Sequence, residues 1–142
     1  MKQIKFLFMA VVCLMISAVA KADDKPIAPD ALPPAAKAFI QANFPGKKVI
    51  YAEKDFNMYE CRLSDGTEID FNKKGNWDKV DCKNTAVPAA LIPEAIKSYV
   101  KANFPDCIIT KIDKERYGID IELSNDLDLK FNYQGQLLGM DD

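Results

Sequence analysis

The sequence has 142 residues, is 49% hydrophobic, and carries 19 basic and 21 acidic side chains but no histidine. That length allows one ordinary domain. The missing imidazole removes the commonest metal ligand and the usual base of serine and cysteine hydrolase triads. Lys2 and Lys5 precede an apolar run from Phe6 to Val19, and Ala20-Lys21-Ala22 supplies a small-x-small cleavage site. This pattern predicts a secretory signal peptide over residues 1–22. Its apolar run is shorter than the roughly 20 residues that span a bilayer. Cys13 lies in the middle of that run behind Ala10-Val11-Val12, a poor lipidation context. After cleavage 16 basic and 21 acidic residues remain, a net charge of −5. That sign is wrong for a nucleic-acid surface, so no nucleic acid is expected as a partner, and it disfavours anionic lipid. No further run is long enough to span, so no membrane segment is expected after cleavage.

Residues 23–31, with two prolines and no apolar period, are expected as a flexible leader. A helix follows: Ala35, Ala36, Phe39, Ile40 and Phe44 recur at helical spacing after Pro33-Pro34. Pro45 stops it, because a proline holds its predecessor in extended conformations. The stretch Lys48 to Lys54 is rich in strand-forming residues. The next run alternates, with Tyr59, Cys61 and Leu63 inward and Met58, Glu60 and Arg62 outward. Ser64-Asp65-Gly66 is a hairpin turn, and Ile69 and Phe71 continue the inward face. A second turn at Lys74-Gly75 leads to a short last strand with Trp77 and Val80.

The segment Pro33 to Cys82 then recurs sixty residues later, without a gap, as Pro93 to Asp142. Ala95, Ile96, Tyr99, Val100 and Phe104 repeat the helix, and Ile119, Ile121 and Leu123 repeat the inward face of the alternating strand. A fixed period of this length marks a supersecondary unit used twice. The fold class expected is therefore α+β. Two units, each a helix plus four antiparallel strands, form one curved eight-stranded sheet with both helices on one face. The domain spans residues 32–142, with repeats at 32–82 and 91–142 and a short linker between. One helix on four strands is marginal alone, so the units share a sheet.

The helix ending Ala42-Asn43-Phe44-Pro45, the hairpin from Leu63 through Asp65-Gly66 to Asn72, and the strand opening Gly75-Asn76-Trp77 resemble the PepSY-like family of exported bacterial proteins. The resemblance covers nearly the whole mature chain. It implies a fold similar to the β-lactamase inhibitory protein, and the related PepSY domain of peptidase propeptides implies inhibition or shielding of a periplasmic or secreted protein. It assigns no functional residues.

The mature chain holds Cys61, Cys82 and Cys107. Exported proteins pair their cysteines by default. Cys61 and Cys82 are absent together from the second copy, where Ile121 and Asp142 stand, so a bond between them is expected. Closing that loop of about 20 residues would stabilise the fold by about 3 kcal/mol. The alternative is a small buried residue and a surface thiol. Cys107 is the odd one, expected to be buried beside Ile108, with an intermolecular bond as the alternative.

The outward sheet face is the candidate surface. It gathers Met58, Glu60, Arg62, Glu68 and Asp70 from the first copy and Asp120, Glu122, Asp128 and Lys130 from the second. Phe56, replaced by Arg116 in the second copy, is the exposed aromatic anchor added to this set; Tyr51, Tyr59 and Trp77 are further aromatic candidates. A solvated face with mixed charges needs no ligand. The sharper expectation is a mostly acidic surface that docks a basic protein, where complementarity speeds association. A pocket for a small ligand or cation at the junction of the repeats is the alternative. Paired carboxylates such as Glu68 with Asp70 can hydrolyse glycosides or bind calcium. Without a desolvated cleft or a full ligand loop, no catalytic residue, metal or cofactor is assigned.

Overall fold

The chain's computed structural model describes residues 24–142; residues 1–22, expected as the secretory signal, lie outside them. Two α-helices are present among the described residues, α1 (Pro34–Asn43) and α2 (Glu94–Asn103), with Pro33 and Pro93 at their N-caps. Both end alike. Asn43 and Asn103 donate their side-chain amides to the carbonyls of Phe39 and Tyr99 at 3.0 and 2.9 Å. Pro45 and Pro105 follow within two residues, so neither helix can continue.

Among the described residues nine strands form one antiparallel sheet in chain order. The first repeat supplies β2 (Val49–Lys54), β3 (Met58–Leu63), β4 (Glu68–Asn72) and β5 (Trp77–Asp81). The second supplies β6 (Ile109–Lys114), β7 (Gly118–Leu123), β8 (Asp128–Asn132) and β9 (Leu137–Asp141). The ninth strand, β1 (Lys25–Pro26), comes from the residues expected as a flexible leader. Its pairing of Lys25 with Lys54 and Pro26 with Glu53 is extended by Ile27 N–H, which donates to Ala52 O at 2.9 Å. A 3-10 turn over Pro29–Ala31 then delivers Leu32 to the core, only 2% exposed. The leader is ordered because Ile27 and Leu32 bury apolar surface and a proline is tolerated on an edge strand.

The seam between the repeats is an ordinary ladder. Lys79, Val80 and Asp81 of β5 pair with Asp113, Ile112 and Lys111 of β6. Both helices cover the same side of the sheet, and the large core residues repeat with them. Phe39 of α1 meets Phe71 edge-on at 5.8 Å between ring centroids, and Tyr99 of α2 meets Phe131 at 5.5 Å. Leu63, Ile69, Val80, Ile112, Leu123 and Leu129 complete a core without a break between the copies.

The turns hold the register. Ser64 binds Lys48 through reciprocal bonds of 3.1 and 2.8 Å, and Ser124 binds Ile108 through bonds of 3.0 and 2.9 Å. Asp126 takes the left-handed conformation (φ 70°) that Gly66 takes in the first hairpin (φ 92°). At the second turn glycine is needed twice over. Gly135 has φ 86°, and a Cβ there would lie 2.5 Å from that of Ala95 at the start of α2.

Candidate functional site

The side of the sheet away from the helices is defined by two rows running across the strands. The first runs Glu53, Glu60, Asp70, Lys79, Asp113, Asp120 and Lys130, each paired in register with the next. The second runs Tyr51, Arg62, Glu68, Asp81, Lys111, Glu122, Asp128 and Asp141. Together they hold ten carboxylates and four bases, a net charge of −6, which exceeds the −5 of the mature chain. The acidity of this protein is therefore concentrated on one face.

The structure brings nine of the ten expected face residues together: Met58, Glu60, Arg62, Glu68, Asp70, Asp120, Glu122, Asp128 and Lys130 all share it. Phe56 does not. It stands 87% exposed at the tip of the β2–β3 hairpin, beyond the end of both strands. Glu53, Lys79, Asp81, Lys111, Asp113 and Asp141 belong to the face and escaped the sequence pattern. Tyr51 also lies there, its hydroxyl donating to Glu53 at 2.8 Å and its ring 5.9 Å from the Arg62 guanidinium carbon. Trp77 is half-buried against Phe39, with the Lys114 ammonium 3.9 Å from its ring centroid. Tyr59 is half-buried on the helix side.

The charges are unevenly compensated. Glu68 pairs with Arg62 at 3.4 Å and with Lys83 at 3.1 Å, and Asp120 pairs with Lys130 at 3.3 Å. Glu53, Glu60 and Asp70 form a run of three neighbouring carboxylates. Partial burial raises the pKa of Glu60, and Asp70 and Glu53 raise it further. Burial also lifts that of Asp70, against the pull of Lys79. Asp113, at the seam, is pushed up to about 6 by burial and by Glu115. Crowded carboxylates of this kind attract cationic groups, because a positive partner relieves the repulsion among them and favours their charged forms. Among the described residues, no group of three or more histidine, cysteine, aspartate or glutamate side chains is disposed to hold a metal ion.

Cys61 and Cys82 are both buried free thiols, so the expected disulfide is absent. The register gives the reason. Cys61 pairs with Ile69 of β4, and Ile69 pairs with Val80 of β5, so a whole strand separates the two cysteines. Two strand spacings are about 9.6 Å, beyond the reach of a disulfide, whose Cα atoms lie within about 7 Å. Cys107 is half-buried, while its neighbour Ile108 is 43% exposed and outside the core. Where the repeats meet, a cleft of about 520 Å³ is lined by Phe39, Asn72, Asn76, Trp77, Asp78 and Lys114 among others.

A family model described as putative beta-lactamase-inhibitor-like, PepSY-like matches residues 19–65 and 57–139. The chain belongs to the PepSY-like family. Three solved structures resemble this PepSY-like protein over nearly their full length. A putative calcium-regulated periplasmic protein from Bacteroides thetaiotaomicron is 41% identical, with a TM-score of 0.79 over 85% of this chain and 98% of the other. A putative periplasmic protein of the DUF2874 family from Bacteroides vulgatus is 38% identical, with a TM-score of 0.79 over 84% and 98%. Another putative periplasmic protein of unknown function from Bacteroides vulgatus is 38% identical, with a TM-score of 0.79 over 84% and 99%. No curated protein matches. The PepSY-like protein is periplasmic, as its relatives are described, and no described helix is long and apolar enough to cross a membrane.

Proposed function

We propose that this PepSY-like protein is a non-enzymatic, inhibitor-like binding module that docks a basic periplasmic or secreted protein on the open face of its sheet. The observation that carries the proposal is the pair of uninterrupted cross-strand rows with a net charge of −6. A face of one dominant sign steers an oppositely charged partner and raises its association rate, most strongly at low ionic strength.

The test is affinity capture from periplasmic extract with the wild type and with a variant carrying Glu60→Lys, Asp70→Lys and Glu122→Lys. The wild type is expected to retain basic proteins that salt elutes, and the variant to lose them with at least about a tenfold fall in association rate. Identical recovery by the two proteins, or recovery indifferent to salt, would overturn the assignment.

A second reading, carriage of a small ligand or cation at the junction of the repeats, is favoured by the relative described as putative calcium-regulated and by the cleft where the repeats meet. On this reading calcium raises the melting temperature of the wild type and of the charge-reversed variant alike, because the variant leaves the junction unchanged. An unchanged melting temperature in millimolar calcium, with a clean unliganded mass after gentle purification, removes it.

A further inference from the structure

We propose that the outer edge of β9 is a slot for an extended strand of another protein, one that sets an aliphatic side chain opposite Met140 and a lysine or arginine opposite Asp141. The repeat supplies the template. β9 is the counterpart of β5, and both carry the same break in register: Phe71 pairs with Trp77 and Asp70 with Lys79, while Phe131 pairs with Leu137 and Lys130 with Gly139. In β5 that bulge does not stop a further strand, because Lys79, Val80 and Asp81 pair with β6. The corresponding residues Gly139, Met140 and Asp141 have no strand on their outer side among the described residues.

The packing records the same vacancy. Val80 is 0% exposed beside Ile112, whereas Met140 is 46% exposed and Leu138 55%. Exposed edges are commonly blunted by lysine or proline, and β9 contains neither. The opposite end of the sheet is treated differently, since β1 covers β2 and places Pro26 on the edge. The chemistry of the occupant follows from β6. On the helix side an aliphatic residue would cover Met140 as Ile112 covers Val80. On the open face a base would meet Asp141 as Lys111 meets Asp81. A second β9 does not fit this pattern, because it carries an acid and no base. Strand addition draws affinity from main-chain hydrogen bonds and specificity from alternate side chains.

The probe is an end-blocked peptide of sequence Ile-Thr-Lys-Ile-Asp-Lys, that of β6, and the readout is amide hydrogen exchange resolved by NMR. At about ten times its Kd the peptide should slow exchange of the outward-pointing β9 amides about tenfold. The same peptide carrying Ile112→Lys should not. In the protein, Met140→Lys changes an already half-exposed position, so it should keep the melting temperature while weakening the peptide at least about tenfold. A Glu60→Lys, Asp70→Lys double variant should bind the peptide as the wild type does, which separates this site from the open face. Protection at β5, protection nowhere, or unchanged binding by Met140→Lys would overturn the proposal. Concentration-dependent protection of β9 without peptide would also overturn it, placing a second copy on the edge.

Discussion

Replacing Asp113 with asparagine should stabilise the protein at neutral pH, although it removes a charge that faces a lysine. Asp113 sits in the first row between Lys79 and Asp120. Burial, then Glu115, pushes its carboxyl up to about 6 against the pull of Lys79 and Lys111. In the unfolded chain an aspartate titrates at about 3.9. Between about pH 4 and 6 the folded state therefore holds more protons than the unfolded state, and stability falls as pH rises through that window. A gap of about two pH units corresponds to about 3 kcal/mol before screening. The carboxyl is only partly buried and water screens it, which reduces the figure to about 1 kcal/mol. Asparagine keeps the shape and lacks the charge, so Asp113→Asn should gain about 1 kcal/mol, or about 4 °C in Tm, at about pH 7.5. The gain should vanish at about pH 4, where both proteins are uncharged at this position. Thermal unfolding followed by circular dichroism across that range measures it. A lower Tm for Asp113→Asn near neutrality, or a difference that does not shrink on acidification, would refute the reasoning.

Three further outcomes follow from the packing. Phe71→Ala and Phe131→Ala should each destabilise by about 3–5 kcal/mol in urea unfolding, because both rings are fully buried against an aromatic partner; a loss below about 1 kcal/mol at either would contradict the shared core. Reducing agent should leave the melting temperature unchanged, and a thiol reagent should modify Cys107 before the buried Cys61, whose thiol burial pushes up to about 12. A drop in stability of about 3 kcal/mol on reduction would restore the disulfide. Gly135→Ala should be more damaging than Gly66→Ala: both have positive φ, but only Gly135 would drive a Cβ to 2.5 Å from Ala95. Equal losses, each about 1 kcal/mol, would mean that α2 yields freely.

The parts of the fold legible in the sequence are those with unbroken alternation. β3, β4, β7 and β8 contain no register shift, and each face residue expected on them is on the face. β2, β5, β6 and β9 each contain one, at Ile50, Asp78, Thr110 and Leu138. A bulge advances the chain by one residue and reverses the side on which the next side chain emerges. Period-two counting therefore loses Glu53, Lys79, Lys111 and Asp113, although their charges are plain in the sequence. The cysteine pairing failed for a different reason. Joint absence from the second copy shows that Cys61 and Cys82 share a role in the first, and that role is filling core beside β4, not bonding across it. The leader's pairing with β2 escaped notice because two residues of strand are too short a signal to show a period.

The order of the strands has a consequence for how the chain folds. Every strand from β2 to β5, and again from β6 to β9, pairs with its neighbour in sequence across a short turn. The seam between β5 and β6 must wait for the linker and α2 to close between them. Topologies dominated by short-range contacts fold quickly, since little loop entropy is lost before contacts form. A sheet protein of this size would ordinarily sit at the slow end of that scale. Here each repeat can assemble its own four-stranded ladder first, and the longer-range pairings left are β1 with β2 around α1 and the three-residue seam at Lys79, Val80 and Asp81. Substitutions inside a hairpin, which forms early, should slow folding, while those at the late-closing seam should mainly speed unfolding.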